Sequence, residues 1–376
     1  MKVLMFITTA DLLLTVLTYI YYRLVFKFAR SAVFTFFYVL FSLNVVVSRM
    51  LSDRLPLTLL WCESYFSGIW LAVLYYSIWL AFLHLIFFAV FNLLHLRLPH
   101  KRFAQGLMAF FFLLSAWGAW RAYHPVVREE TIPTVKLEQG TELKIALVSD
   151  WHLGRTLVRG FCWDVVDLIN AQNPDVIIIA GDLLDEKLSY VQRANSLEPL
   201  SHLHANLGTY MVFGNHDYID NPQKLQRLLK MMKIKVLQGS NVGIMDGAVK
   251  ITGLVDFSRD SGTDALRQLA AGNDDFFSIL VDHQPRRMVT AQEERYDLYL
   301  AGHTHTGQLW PNRIFTSYMY DLDHGRKQYG NMVGIVTSGI GFWGPPIRSS
   351  EAPEIVIIKV QGLKEIKNAE NSAMLQ

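Results

Sequence analysis

The sequence predicts two unlike parts, an all-helical transmembrane region followed by an α/β sandwich. Three observations predict this. Four apolar runs crowd between Met1 and about Tyr123. From Leu143 onward, short β-rich runs alternate with helical patterns. Polar residues able to bind metal recur directly after five of those β runs.

The chain has 376 residues and is 51% hydrophobic. Its mean hydropathy of +0.22 is high for a wholly soluble protein. A membrane span needs about 20 mostly apolar residues to cross about 30 Å of hydrocarbon. Val3–Tyr22, Val33–Val47, Tyr65–Phe91 and Phe103–Ala119 qualify. Trp70, Trp79, Trp117 and Trp120 lie near their ends, as interfacial anchors do. A cleaved signal peptide would supply one apolar run, not four. Asp11 falls within the first span, where an ionisable group is costly. Its place near the helix start leaves snorkelling or a helix-terminus role open beside substrate contact.

Basic residues in short loops set orientation. Arg23, Lys27, Arg30, Arg97, Lys101 and Arg102 fall on one side; Lys2, Arg49, Arg54, Arg121 and Arg128 fall on the other. The bias is slight. It puts the first set in the cytoplasm and the C-terminal domain outside it. A net charge of +2 offers no basic field, so no nucleic-acid partner is expected. Cys62 and Cys162 imply no disulfide framework. The expected division is a transmembrane region over 1–124, a linker or edge strand interrupted by Pro133 over 125–142, an α/β domain over 143–362 and a polar tail over 363–376.

Within the α/β part, strands are predicted at Leu143–Ser149, Val176–Ala180, Tyr210–Phe213, Lys250–Leu254, Phe277–Val281, Leu298–Ala301, Gly334–Thr337 and Ile355–Val360. Helices are predicted at Phe161–Gln172, Lys187–Leu200, Pro222–Met232 with Asn221 as its cap, Ala265–Ala271 and Arg286–Glu294. Early βαβ alternation followed by closely spaced strands argues for an α/β sandwich. Sites in such sheets gather beyond the carboxyl ends of the strands. Asp150 and His152 follow the first strand, Gly181 and Asp182 the second, and Gly214, Asn215, His216 and Asp217 the third. His283 follows the Phe277–Val281 strand, and Gly302, His303 and His305 follow Leu298–Ala301.

Each cluster alone reads as turn or cap chemistry. Together, in order and at five strand ends, they read as a metal site. His303 and His305, two apart on a loop, point in different directions and suit one ligand for each of two metals. Carboxylate, imidazole and amide donors suit Mn²⁺, Fe or Zn²⁺. No thiolate is offered, which argues against a structural zinc cage. A pair of metals about 3.5–4 Å apart can clamp a phosphate and turn a bound water into hydroxide. Asp182 is the natural bridge between them.

Asp150-Trp-His152, Gly181-Asp182, Gly214-Asn215-His216-Asp217, His283 and Gly302-His303-Thr-His305 resemble the five motifs of the calcineurin-like metallophosphoesterase superfamily. The resemblance covers about Leu143 to Val360 and implies a four-layer α/β/β/α sandwich. It implies one metal, most readily Mn²⁺, on Asp150, His152, Asp182 and His305, and a second on Asp182, Asn215, His283 and His303. His216 would contact the phosphate, as Asn215 also would, and would protonate the leaving oxygen; Asp185 would orient it or merely cap a turn. The stretch Ser338 to Arg348, followed by Pro353-Glu354-Ile355, is similar to a membrane-associated bacterial subgroup, which implies a multi-pass protein of the bacterial cell membrane. Gly339 and Gly341 would let backbone approach the site closely. Arg348 would hold a substrate phosphate by paired hydrogen bonds, or else be a surface or ion-paired arginine.

The expected reaction is in-line attack of a metal-bridging hydroxide on a phosphoester, a phosphodiester or diphosphate, without a phospho-enzyme. Two readings of the helical region remain open. It either takes part in binding a lipid-linked phosphoester or only anchors the enzyme. A non-catalytic metal-binding scaffold and a transporter-associated module are the alternatives of a different class, and nothing in the sequence indicates an oligomeric state.

Overall fold

The computed structural model describes residues 2–157 and 159–364. The predicted polar tail lies outside the described residues beyond Lys364. Four helices open the chain: α1 (Lys2–Val25), α2 (Ala32–Leu51), α3 (Leu57–Leu93) and α4 (His100–Arg121). Ser31 starts α2 by accepting a hydrogen bond from the Phe34 N–H, which satisfies a donor that the first turn leaves free. Among the described residues, α2, α3 and α4 are long and apolar enough to cross a membrane. The expected first span is a 24-residue helix but is not one of those three.

At 37 residues, α3 runs for about 55 Å, well beyond a hydrocarbon core of about 30 Å. The turn that precedes it lies against the sheet-bearing part of the chain. There Lys187 Nζ reaches Asp53 Oδ2 at 2.6 Å, Tyr190 Oη donates to Ser52 Oγ at 2.8 Å and Arg193 Nη2 donates to the Leu55 carbonyl at 2.6 Å.

The rest of the chain builds two six-stranded sheets. The first contains β1 (Val126–Thr134), β2 (Glu142–Val148), β3 (Val176–Ile179), β4 (Thr209–Met211), β5 (Ile234–Val236) and β12 (Glu354–Gly362). Its order is β1-β12-β2-β3-β4-β5. The second holds β6 (Ser240–Ile244), β7 (Val249–Gly253), β8 (Phe277–Val281), β9 (Leu298–Ala301), β10 (Gly325–Tyr329) and β11 (Met332–Val336), in the order β10-β11-β9-β8-β7-β6. The helices are α5 (Arg159–Asn170), α6 (Leu188–Arg193), α7 (Pro222–Met231), α8 (Asp264–Leu269), α9 (Met288–Glu293) and α10 (Arg313–Met319).

Strand periodicity explains the layering. Successive side chains point to opposite faces. Ile145, Leu147, Val176 and Ile178 of one sheet meet Ile251, Ile279, Val281 and Leu300 of the other in a shared core. The alternate residues Ala146, Val148, Ile177 and Ile179 pack outward with Val165, Val166 and Ile169 of α5 and Leu225 and Leu229 of α7. On the far side, Leu280, Tyr299 and Ala301 pack with Leu266 of α8 and Met288 and Ala291 of α9. The result is four layers, α/β/β/α. Strands buried on both faces read as unbroken apolar runs, as Val176–Ile179 does.

β1 is an edge strand, paired in parallel with β12 from Val126↔Glu354 to Thr134↔Gly362. Pro133 is tolerated because an edge leaves one row of N–H groups without a ladder partner. The predicted Lys187–Leu200 helix is corrected to two pieces, α6 and a 3-10 turn at Glu198–His202. Asn195 at φ 51° ends the first, and Pro199 opens the second.

Candidate metal centre

β2, β3 and β4 run parallel, as do β7, β8, β9 and β11, so their carboxyl ends share one rim. All seven expected ligands leave from those ends. Five of them hold positive φ: Asp150 at 55°, His152 at 47°, Asp182 at 51°, His303 at 74° and His305 at 48°. For residues with a Cβ this region costs of order 1–3 kcal/mol each and persists where the surroundings over-determine it. Strain repeated at five side chains of metal-binding type marks the rim as functional.

The side chains converge. His152 Nε2 and His305 Nε2 are 2.9 Å apart, and Asp150 Oδ1 lies 3.9 Å from the first and 3.5 Å from the second. Asp182 Oδ2 lies 3.8 Å from His152 Nε2 and 3.2 Å from His283 Nε2. His283 Nε2 in turn is 3.2 Å from His303 Nδ1. Asp150, His152 and His305 form one set whose donor atoms lie within 4.8 Å of one another, and Asp182, His283 and His303 form another. Asp182, next to both, sits where a bridge would. Asn215 Oδ1 is buried without a hydrogen-bond partner. A buried carbonyl oxygen left unpaired is costly, and a cation would satisfy it. This donor set, with crowded imidazole nitrogens and an orphaned amide oxygen, fits a pair of divalent cations.

The supports are as specific as the ligands. The His283 Nδ1–H donates to the Ala180 carbonyl at 2.8 Å, which leaves Nε2 as the free lone pair. Asp150 accepts the His303 N–H at 2.9 Å, and Asp182 Oδ1 accepts the His216 N–H at 2.8 Å. Gly214 is required, because a Cβ there would run into the Asp182 carboxylate. At Gly339, with φ 81°, a Cβ would stand 2.7 Å from the Asp150 Cβ, so this glycine does let the strand end press on the site.

His216 stands beside the His152 ring at 4.7 Å, the two planes perpendicular. Its Nδ1–H donates to the Asp185 main-chain carbonyl at 2.7 Å. The Asp185 carboxylate lies closer to His152 Nδ1, at 3.3 Å, than to His216 Nδ1, at 3.7 Å. Asp185 thus reaches His216 through its backbone and His152 through its side chain. Burial disfavours a charged His216, but the Asp182 and Asp185 carboxylates outweigh it and raise its pKa above the ordinary imidazole range. Burial first, and the neighbouring His283 second, push His303 down to about 3 and so keep it unprotonated.

Residues 143–307 match the sequence model of the calcineurin-like phosphoesterase family. An uncharacterized metallophosphoesterase of Aquifex aeolicus is 32% identical over 263 residues, covering 66% of this chain and 97% of that one. The chain belongs to the calcineurin-like metallophosphoesterase family. Its members are phosphoric ester hydrolases that use divalent metals, and this metallophosphoesterase carries the family's catalytic domain. It is also 34% identical over 241 residues to an uncharacterized metallophosphoesterase of Campylobacter jejuni, covering 62% of each chain. It is 32% identical over 275 residues to a transmembrane protein with metallophosphoesterase domain of Danio rerio, covering 68% of this chain and 62% of that one. The chain therefore spans less than two thirds of the length of these last two relatives. Three helices of this chain are, by length and composition, apolar enough to cross a membrane.

Arg348 requires a correction. Its side chain is wholly buried. Nε donates to the Glu351 carbonyl, Nη1 to the Gly341 carbonyl, and Nη2 to the Ser338 and Ala352 carbonyls, and Nη1 lies 3.1 Å from His305 Nδ1. Every guanidinium nitrogen is committed to a main-chain carbonyl in the interior, so no edge faces a phosphate. Arg348 instead ties the 338–352 segment together beside the ring of His305, an expected ligand.

The sequence reading missed the layer behind His283. Asp282 is buried and takes both Arg287 Nε and Nη2 at 2.9 Å and the Tyr299 hydroxyl at 2.7 Å. Asp217, inside a motif but given no role, accepts the Leu184 and Gly214 N–H groups and so clamps together two loops that carry expected ligands. Burial, then the nearby Asp182 charge, raise the Asp217 pKa to about 7. The signal available for Asp282 was its place directly before a predicted ligand histidine. Asp282→Ala would leave Arg287 charged and unpaired in the interior, a loss that typically costs about 3–5 kcal/mol. A lowered denaturation midpoint in detergent checks this; an unchanged midpoint would refute the role.

Proposed function

We propose that this metallophosphoesterase hydrolyses a phosphodiester or diphosphate attached to a lipid, with His216 as the proton donor. The observation that carries the reading is Asp182. Its Oδ2 faces ligands of both sets, while its Oδ1 holds the backbone of His216. One carboxylate thereby sets the spacing between the cation pair and the acid.

Asp150, His152, Asp182 and His305 would hold one cation; Asp182, Asn215, His283 and His303 would hold the other. Mn²⁺ suits the set best, with Fe or Zn²⁺ compatible. When bound, such a pair supplies Lewis-acid polarisation of the phosphoryl oxygens and a nucleophilic water at neutral pH. The protein does the rest. Asn215 and His216 hold the phosphate beside the ligands. The Asp185 carbonyl fixes the His216 ring through Nδ1. That hydrogen bond and two nearby carboxylates favour the imidazolium, which gives its Nε2 proton to the departing oxygen.

Lipid linkage is supported by where the spanning helices end. The Arg348 N–H donates to the Gly118 carbonyl of α4 at 2.9 Å, while its side chain lies 3.1 Å from His305 Nδ1. A Cβ on Gly118 would stand 2.7 Å from Ile347, and one on Gly68 of α3 would stand 2.8 Å from Pro346. The segment that supports a ligand thus rests directly on helices apolar enough to span. A mere tether would need no such contact.

Chelation of the purified protein is expected to abolish hydrolysis, and added Mn²⁺ to restore it. The assay is a panel of soluble and acyl-chain-bearing phosphomonoesters, phosphodiesters and diphosphates. Full activity after chelation would refute metal dependence. Equal rates on soluble and acylated substrates would reduce the helices to an anchor.

A further inference from the structure

One surface of the sandwich carries clustered apolar side chains. Trp310, Ile314, Phe315, Tyr318 and Met319 fall within ten residues and are 41%, 67%, 54%, 93% and 59% exposed. Trp343, at 52%, is tied to the same loop, because Gln308 Nε2 donates to its carbonyl. Elsewhere in the sandwich, large exposed apolar side chains such as Ile219, Met231 and Val289 stand singly. Scattered residues need no explanation, whereas a contiguous patch marks an interaction site.

The patch is one side of a helix. Positions 314, 315, 318 and 319 of α10 share a face, at the spacing that puts side chains over one another. The opposite side is polar and turned to the protein. Thr316 Oγ1 donates to Asp323 Oδ2 at 2.8 Å, and Arg313 lies 3.8 Å from both Asp323 and Glu351.

The depth of the patch identifies its partner. The Trp310 ring packs edge-on against Phe110 of α4 at 6.1 Å. Tyr75 of α3 donates to Asn312 Oδ1 at 2.7 Å. Its neighbour Tyr76 stacks on Phe111 at 5.1 Å, which puts the α3 and α4 contacts at one level. Phe110 lies eleven residues before Arg121, the end of α4 nearest the sheets. Eleven residues of helix are about 16 Å, and half of a hydrocarbon core is about 15 Å. The Trp310 ring therefore reaches down beside the middle of a helix apolar enough to span, while Arg313, at the start of α10, shares Glu351 with Arg121 at the end of that helix.

The same segment leads straight to the metal rim. Gln308 N–H donates to the His305 carbonyl, and Tyr320, at the far end of α10, lies 6.0 Å from the His303 ring. Arg286 Nη2 donates to the Tyr320 hydroxyl at 3.0 Å.

We infer that the apolar face of α10, with Trp310 and Trp343, is immersed in the same bilayer leaflet as the adjoining parts of α3 and α4. Acyl chains cover it, and the metal rim rides at headgroup level. The inference rests on the membrane reading of α3 and α4. It does not need the substrate to be a lipid, but it supplies such a substrate with a route from the leaflet.

The test is depth, read in lipid nanodiscs on the full chain with Cys62→Ser and Cys162→Ala. A nitrobenzoxadiazole label is placed at Tyr318→Cys, at Phe112→Cys as the lipid reference (71% exposed on α4) and at Met231→Cys as the water reference (81% exposed on α7). Quenching by iodide is compared with quenching by phospholipids carrying a nitroxide on the acyl chain. The Tyr318→Cys label is expected to follow Phe112→Cys, several-fold more sensitive to the nitroxide lipid than Met231→Cys. A label that follows Met231→Cys overturns the proposal. So does protection from both quenchers, which would mean that a second copy of the chain covers the face. If the Phe112→Cys label is itself quenched by iodide, the membrane reading fails and takes this proposal with it. If Tyr318→Cys is immersed but acylated substrates are not preferred, the surface stands and only the lipid-substrate reading falls.

Discussion

Asp182→Ala is expected to lose most of its bound metal and to turn over a chromogenic phosphodiester slower by roughly 10³-fold or more, beyond what loss of one charge-stabilising group costs. Two roles are proposed for this carboxylate. Oδ2 is 3.8 Å from His152 Nε2 and 3.2 Å from His283 Nε2, so it belongs to both ligand sets. Oδ1 accepts the His216 N–H, which positions the acid. Asp182→Asn separates these functions. It keeps an oxygen for the His216 N–H but loses the negative charge shared by the two sets. Elemental analysis should find about the same metal loss in both variants if bridging charge dominates. Wild-type metal content in Asp182→Ala would sink the bridging assignment.

Much of this centre could be read from the sequence because its ligands leave strand ends. Phe277–Val281 and Leu298–Ala301 are strands over the same residues that composition predicted. Their buried apolar runs stop where His283 and the 302–305 loop begin, and that change of character is visible in one dimension. Elements without such contrast were missed. β10, mostly exposed and polar, has no apolar face to announce it. β5 is three residues long, too short for any period to show. Hydropathy located α3 only over Tyr65–Phe91, because it senses hydrocarbon and not the extra turns from Leu57 that run past the sheet-bearing domain.

Arg348 shows a different limit. Its motif context was noticed, but its role turned on whether its donors faced solvent or carbonyls. Four main-chain carbonyls, of Ser338, Gly341, Glu351 and Ala352, settle that, and only three dimensions bring them together. α10 was missed for the opposite reason. Its apolar residues resemble a core helix in sequence, yet they are exposed. Exposure is a property of the assembled chain, not of the string.

His216→Ala is expected to lower kcat by roughly 10²–10⁴-fold, the range for loss of a general acid, while leaving metal content unchanged. The second condition matters, because His216 lies within ligand range of His152 and Asp182. Geometry argues against ligation. Nδ1 is committed to the Asp185 carbonyl at 2.7 Å, so only Nε2 remains, and a metal there could not coexist with a proton for the leaving group. The leaving group provides the discriminating readout. A nitrophenolate departs readily without protonation, whereas an alkoxide does not. The loss in His216→Ala should therefore be small with nitrophenyl esters and large with alkyl esters. A ligand role predicts equal losses with both and a parallel fall in metal content. Asp185→Asn sharpens the contrast, since the His216 bond goes to the main chain and the carboxylate sits 3.3 Å from His152 Nδ1. That variant removes the negative charge beside the His152 ring and should weaken metal binding by about 10–100-fold, as loss of a ligand's outer partner does, without reproducing the leaving-group dependence. If instead it copies His216→Ala, the proton donor is governed by the Asp185 side chain, and the backbone contact is incidental.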